Sequence, residues 1–173
     1  MTTNHSAVEH HASAAFHHQQ AAQFHRQASK HYEIGGDYAH AAHQALLAHG
    51  HALRAIGRGS EAARYYAEHA PQALSKAPES VPRFPLKPAD SAGEVQPAMS
   101  AAGHHAAAAD HNDQAARHHA QAARHLEEHE EELAVHEAQM AHRHAHHSVF
   151  HGDEAAMHHV EHYGKSHPTA EIA

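Results

Sequence analysis

Histidine stands on a heptad in this chain, at positions where a coiled coil carries leucine. Residues 104–125 read HHAAAADHNDQAARHHAQAARH, with His104, His111, His118 and His125 seven apart and Ala108, Ala115 and Ala122 between them. The alternating four-three spacing is that of a buried interhelical seam. A second seam runs beside it through His105, Ala109, His119, Ala123 and Leu126. Residues 10–32 repeat the pattern as HHASAAF, HHQQAAQ, FHRQASK and HY. A face built of imidazole and methyl groups buries little apolar area. What satisfies the rings therefore decides how the helices meet.

The pattern occurs twice because the chain is duplicated. Residues 10–36 match 104–130 at an offset of 94, and residues 43–70 match 136–163 at an offset of 93. The one-residue difference falls at Gly35-Gly36-Asp37, where a turn belongs. The duplication aligns His10 with His104, His11 with His105, His17 with His111, His25 with His119 and His31 with His125. It also aligns His43 with His136, His49 with His142 and His51 with His144. Histidines scattered in a merely His-rich chain would not stay in step.

Six of the seven prolines lie between the copies. The expected organisation is a helical hairpin over 5–70, an extended Pro-rich linker over 71–99, a second hairpin over 100–164 and a disordered tail over 165–173. The fold class is all-α: a four-helix bundle made from two duplicated long hairpins, completed in one chain or shared between two as a homodimer. Asp37 is expected to cap the second helix. Gly57, Gly59 and Gly152 are expected to break or bend the returning helices, with Ser60 and Asp153 as local caps. In the second copy the turn glycines are replaced by His129-Glu130-Glu131, so the third helix either runs on or turns more loosely there.

Alanine accounts for 42 of the 173 residues, and there is no Trp and no Cys. The apolar core is thin, and a buried imidazole without a partner costs ~1–3 kcal/mol. A metal ion is the economical partner for ten or more such rings. It takes the lone pair of one nitrogen while the other donates outward. Heptad-spaced rings on one helix lie about 10.5 Å apart, so ligands must come from facing helices at one height. Counting out from the turns places His31 opposite His43, and His25 near His49 and His51. It places His125 opposite His136, and His118 and His119 near His142 and His144. Farther out, His10 and His11 approach Glu61, while His104 and His105 approach Glu154 and His158. On the last helix His142/His146, His147/His151 and His158/His162 form i,i+4 pairs and His159/His162 an i,i+3 pair, each a local chelate.

Imidazole suits several first-row metals. Zn2+ is the first expectation on availability and geometry, with Cu, Ni or Co behind it. Absence of Cys excludes disulfides and thiolate sites. No Glu-x-x-His occurs for a di-iron site, and HEEEL at 129–133 lacks the second His of a zinc-protease motif. With no phosphate loop and no nucleophile elbow, the chain reads as a metal store, buffer or detoxifier and not as an enzyme. The net charge of −8 and only 12 scattered basic residues argue against nucleic acid. No apolar run suits a signal or a membrane span, so the expected location is cytoplasmic.

A different class of reading is an alanine-coil scaffold with histidine as a pH switch. Bis-His haem ligation is a lesser alternative, set against a core with few large apolar residues to wrap a porphyrin. The HHxxAAx heptads, the GGDY turn and AAHQALLAHGHAL resemble small uncharacterised bacterial His/Ala-rich helical-hairpin proteins over roughly 60 residues in each half. That resemblance implies the repeated hairpin and carries no activity with it.

Overall fold

The computed structural model describes residues 2–69 and 99–163. They form four helices: α1 (Thr2–Ile34), α2 (Tyr38–His69), α3 (Ala101–Glu127) and α4 (Glu131–His162). The linker and tail expected from the sequence lie outside the described residues, apart from the linker's last position, Met99.

Turn chemistry sets the helix ends. Gly35 and Gly36 adopt φ of 73° and 90°, which glycine tolerates without strain. Asp37 Oδ1 then accepts the His40 backbone N–H at 3.0 Å and caps α2, as its position predicts. The second turn has no glycine, yet α3 does not run on. His129 takes the left-handed conformation instead, at φ 62°. Glu130 N–H reaches back to the His125 carbonyl at 2.7 Å. Ser100 caps α3 by accepting the Gly103 N–H at 3.1 Å. The expected breaks at Gly57, Gly59 and Gly152 do not occur: α2 and α4 run through them, since an interior glycine costs a helix only about 1 kcal/mol, and Asp153 lies inside α4 and not at a cap. Ser60 caps nothing; its hydroxyl donates back to the Ile56 carbonyl at 2.9 Å inside α2.

The two hairpins dock through α1 and α3, which run antiparallel at the centre of the bundle. α2 packs on α1 and α4 on α3, while α2 and α4 meet along a shorter contact and α2 barely touches α3. Alanine dominates what is buried: Ala14, Ala21 and Ala28 on α1 and Ala108, Ala115 and Ala122 on α3 have no exposed surface. Methyl groups let helix axes approach closely. Larger side chains close the two ends of the bundle. At one end Leu126 packs with Ala7, Tyr66 and Ala134, and at the other Tyr32 packs with Ala41 and Ala101. Between those ends the alanines of the α1–α3 contact are interleaved with buried imidazoles and the Asn112 amide.

Candidate metal centre

The first heptad seam of α3 faces α4, and α4 answers it with its own heptad. Four rungs result. His104 Nδ1 lies 3.2 Å from His151 Nδ1, and His111 Nδ1 lies 3.1 Å from His144 Nδ1. His118 Nδ1 donates to Glu137 Oε2 at 2.6 Å, and His125 Nδ1 to Glu130 Oε2 at 2.7 Å. On α3 the rungs stand at 104, 111, 118 and 125; on the facing side at 151, 144, 137 and 130. The rungs are stitched together by stacking. The His151 ring lies on His111 at 5.6 Å and 12°, and His144 lies on His118 at 5.4 Å and 11°. His147 sets its edge against His111 at 5.0 Å. The α3–α4 groove thus holds a continuous column of imidazoles that ends on carboxylates.

Most of these rings are half-buried, and that tunes them. Burial lowers the pKa of His111, and the neighbouring His147, His144 and His151 lower it further. Burial likewise lowers His104, His144 and His151. Their lone pairs are therefore free of protons at neutral pH. At the turn, His125, Glu128 and Glu130 bring three ligand atoms within 4.8 Å of one another, the one such set among the described residues.

Among the described residues, the equivalent groove of the first hairpin has one such rung. His17 Nδ1 lies 3.2 Å from His51 Nδ1. Where the second hairpin has His151, His147, His118 and Glu137, the offsets place Arg58, Arg54, Phe24 and Gln44. Phe24 stacks on His51 at 5.5 Å. Burial lowers the pKa of His17, as do His51, Arg54 and Arg58. The same sequence pattern thus faces cations in one hairpin and carboxylates in the other.

The second heptad seam faces α1, and its rings are fully buried. His11 Nδ1 lies 3.0 Å from His119 Nδ1, and His25 Nδ1 lies 3.1 Å from His105 Nδ1. Between these pairs His18 Nδ1 donates to Asn112 Oδ1 at 2.8 Å. Asn112 Nδ2 donates onward to the Ala108 carbonyl and to Ser148 Oγ. His11 is also tied through Nε2 to the Tyr66 hydroxyl at 2.9 Å. His18 Nε2 and His105 Nε2 have no partner. Desolvation pushes His11, His18 and His105 down to about 4, His25 to about 3 and His119 to about 2. These rings are neutral, and their Nδ1 atoms bond one another or Asn112.

Several expected layers are rearranged. His25 turns across the bundle to His105 because α1 docks on α3, and His51 pairs with His17 instead. His31 packs on His40 at 4.4 Å, and His43 is exposed. His125 bonds Glu130, and His136 is exposed. His11 meets His119 and Tyr66 where Glu61 was expected. His118 does lie against His144. His104 feels Glu154 and His158, and His119 feels His142. His25 also feels His49, and His11 feels His10. Of the local chelates, His142 and His146 approach to 3.0 Å between Nε2 atoms, and His158 and His162 rings to 4.5 Å.

Residues outside the expected set complete the picture. Glu137 terminates a His–His column and was visible only as a heptad partner on the returning helix. His147 and His151 read as a chelate confined to α4, yet both join the ladder. His18 has no duplicate histidine, since Asn112 stands at the matching position, yet the two side chains bond each other. No protein-family model matches the chain, and no curated protein or solved structure is significantly similar to it.

Proposed function

We propose that the protein binds several divalent transition-metal ions in the α3–α4 groove and stores or buffers them. The observation that supports this is the nitrogen–nitrogen distance of 3.2 and 3.1 Å across the two His–His rungs. Two ligands on one ion at Zn–N distances of ~2.0–2.1 Å lie about 2.9 Å apart at a right angle and about 3.3 Å apart at the tetrahedral angle. The rungs sit between those values before any ion enters. As an ion enters between the two Nδ1 atoms, the proton they share moves to the bare Nε2 of the donor ring, so that both Nδ1 lone pairs face the ion and each Nε2–H donates outward. Glu137 and Glu130 supply negative charge to the lower rungs. The half-exposed groove leaves coordination positions to water.

Zn2+ is the first choice of metal. Cu, Ni and Co share its preference for imidazole. Two protein ligands per rung, open to solvent, suit exchange of ions more than a shaped catalytic site, so the reading is a non-enzymatic one. The core pairs are sealed by packing, where a divalent charge between neutral rings is costly. The His17–His51 rung is disfavoured by Arg54 and Arg58.

Calorimetric titration of metal-free protein with Zn2+ tests the assignment. His111→Ala and His144→Ala each lose the same equivalent, and combining His104→Ala with His111→Ala loses a second. Unchanged stoichiometry in the double variant would move the sites out of the groove.

A further inference from the structure

The end of the bundle where α2 starts and α4 stops is closed by tyrosine. Tyr38 is the first residue of α2, and Tyr163 is the residue that ends α4. Their rings stack with centroids 3.9 Å apart and planes 25° from parallel. The two hydroxyls hydrogen-bond each other, so the rings lie the same way round. Each phenol oxygen, with the Cε carbons that flank it, therefore sits against its counterpart. Both rings pack on the buried cluster of Tyr32, Ala41 and Ala101, and both are half-buried, which leaves part of each open to solvent.

Packing alone does not call for this arrangement. Aromatic pairs prefer offset or edge-on contacts with centroids ~4.5–7 Å apart. A closer, face-to-face phenol pair has something else to offer, which is reactive carbon. Removing one electron and the hydroxyl proton from a phenol spreads the unpaired electron over the oxygen and the Cε carbons. The chain has no Cys and no Trp, so no thiol or indole draws oxidation away from its tyrosines. The other tyrosines are placed differently. Tyr32 is buried, with its hydroxyl bonded to His159 Nδ1 at 2.7 Å, and its ring lies 6.0 Å from Tyr38 and 5.7 Å from Tyr163. Tyr65 and Tyr66 are neighbours in sequence and meet at 70°, so a bond between them would join nothing across the bundle.

We propose that Tyr38 and Tyr163 form an oxidative cross-linking site, joined through their Cε carbons as dityrosine by hydrogen peroxide and a one-electron oxidant such as a peroxidase. Each phenol gives up one electron and one proton. The two radicals combine, and one Cε–Cε bond forms. The hydrogen on each bonded Cε then leaves as a proton while the ring oxygen regains one, so both hydroxyls are restored. In sum two Cε–H bonds break, and two electrons and two protons convert one hydrogen peroxide to two waters. Closing the gap needs no helix to move. Tyr38 stands beside the Gly35-Gly36 turn, and Tyr163 lies just past the last turn of α4. The bond ties the two hairpins together across the loosely packed α2–α4 edge. By restricting the unfolded chain it should raise the midpoint of urea unfolding.

The test treats dilute, metal-free full chain with hydrogen peroxide and a peroxidase, so it does not depend on the ladder. The expected product is a monomer with dityrosine fluorescence, an intact mass lower by two hydrogens, and a digest peptide that joins residues 38 and 163. Tyr38→Phe and Tyr163→Phe should each abolish the monomer's signal with helicity unchanged, while Tyr65→Phe keeps it. The wild-type chain should lose the signal when it is treated in urea, because coupling depends on the folded contact. Fluorescence confined to covalent dimers, a signal that survives in Tyr38→Phe, or a folded chain that gives no dityrosine would each overturn the proposal.

Discussion

Acidification should unfold this protein in its metal-free state, and the five core histidines set the size of the effect. His11, His18, His25, His105 and His119 have native pKa values of about 4, 4, 3, 4 and 2. In the unfolded chain each returns to about 6.5. The depression is caused first by burial. It is reinforced by the groups facing them: His10 beside His11, His17 beside His18, His49 and His105 beside His25, His104 and His159 beside His105, and His11, His18, His118 and His142 around His119. Asn112 opposes the trend at His18. Below pH 6.5 the unfolded chain binds protons that the native state refuses, so stability rises with pH and falls on acidification. Their stability contribution is fully present above pH 6.5 and is lost as the pH drops, down to about 4 for His11, His18 and His105 and lower still for His25 and His119. Between pH 7.5 and 5.5 each ring costs somewhat over 1 kcal/mol, and the five together about 7 kcal/mol. That rivals the whole stability of an ordinary domain. The half-buried rings of both grooves add in the same direction. Urea unfolding followed by far-UV circular dichroism in chelator, at pH 7.5, 6.5 and 5.5, reads the slope. A change below about 1 kcal/mol over that range would refute the claim that these imidazoles are buried and neutral.

Four substitutions probe other features. Asn112→Ala removes the acceptor of His18 and the donor to Ser148, and should lower the unfolding free energy by about 3 kcal/mol in chemical denaturation. His129→Gly relieves the left-handed backbone of the second turn and should stabilise by about 1 kcal/mol, seen as a raised melting temperature. His136→Ala should leave Zn2+ stoichiometry unchanged while His144→Ala lowers it, because only His144 lies on a rung; equal losses would show that exposed histidines bind as well as the groove does.

The helices and their pairing into hairpins were legible because alanine heptads and turn residues are local signals. Asp37 and the Gly35-Gly36 turn did what their chemistry requires. The His118–His144 contact followed from counting outward from the turn. Docking of one hairpin on the other was not legible. It depends on which seam of α1 faces α3, and two neighbouring seams of equal composition offered no choice. That ambiguity hid His105, which holds the His25 ring; of the two expected neighbours His49 does lie near it, while His51 pairs with His17. Requiring a histidine in both copies also misled, since the duplication had diverged at the positions that matter. His18 and Asn112 are complementary because they differ. Glu137, His147 and His151 make the second groove a ladder because the first hairpin has Gln44, Arg54 and Arg58 there.

The central claim is that the α3–α4 groove carries metal in the cell. Elemental analysis of untagged protein, purified from its own host without metal-affinity resin, tests it most directly, with the combined His104→Ala and His111→Ala variant alongside. The account predicts more than one equivalent of a single first-row transition metal, reduced by about two in the variant. A fully helical protein free of metal, or a metal content the variant does not change, would contradict it.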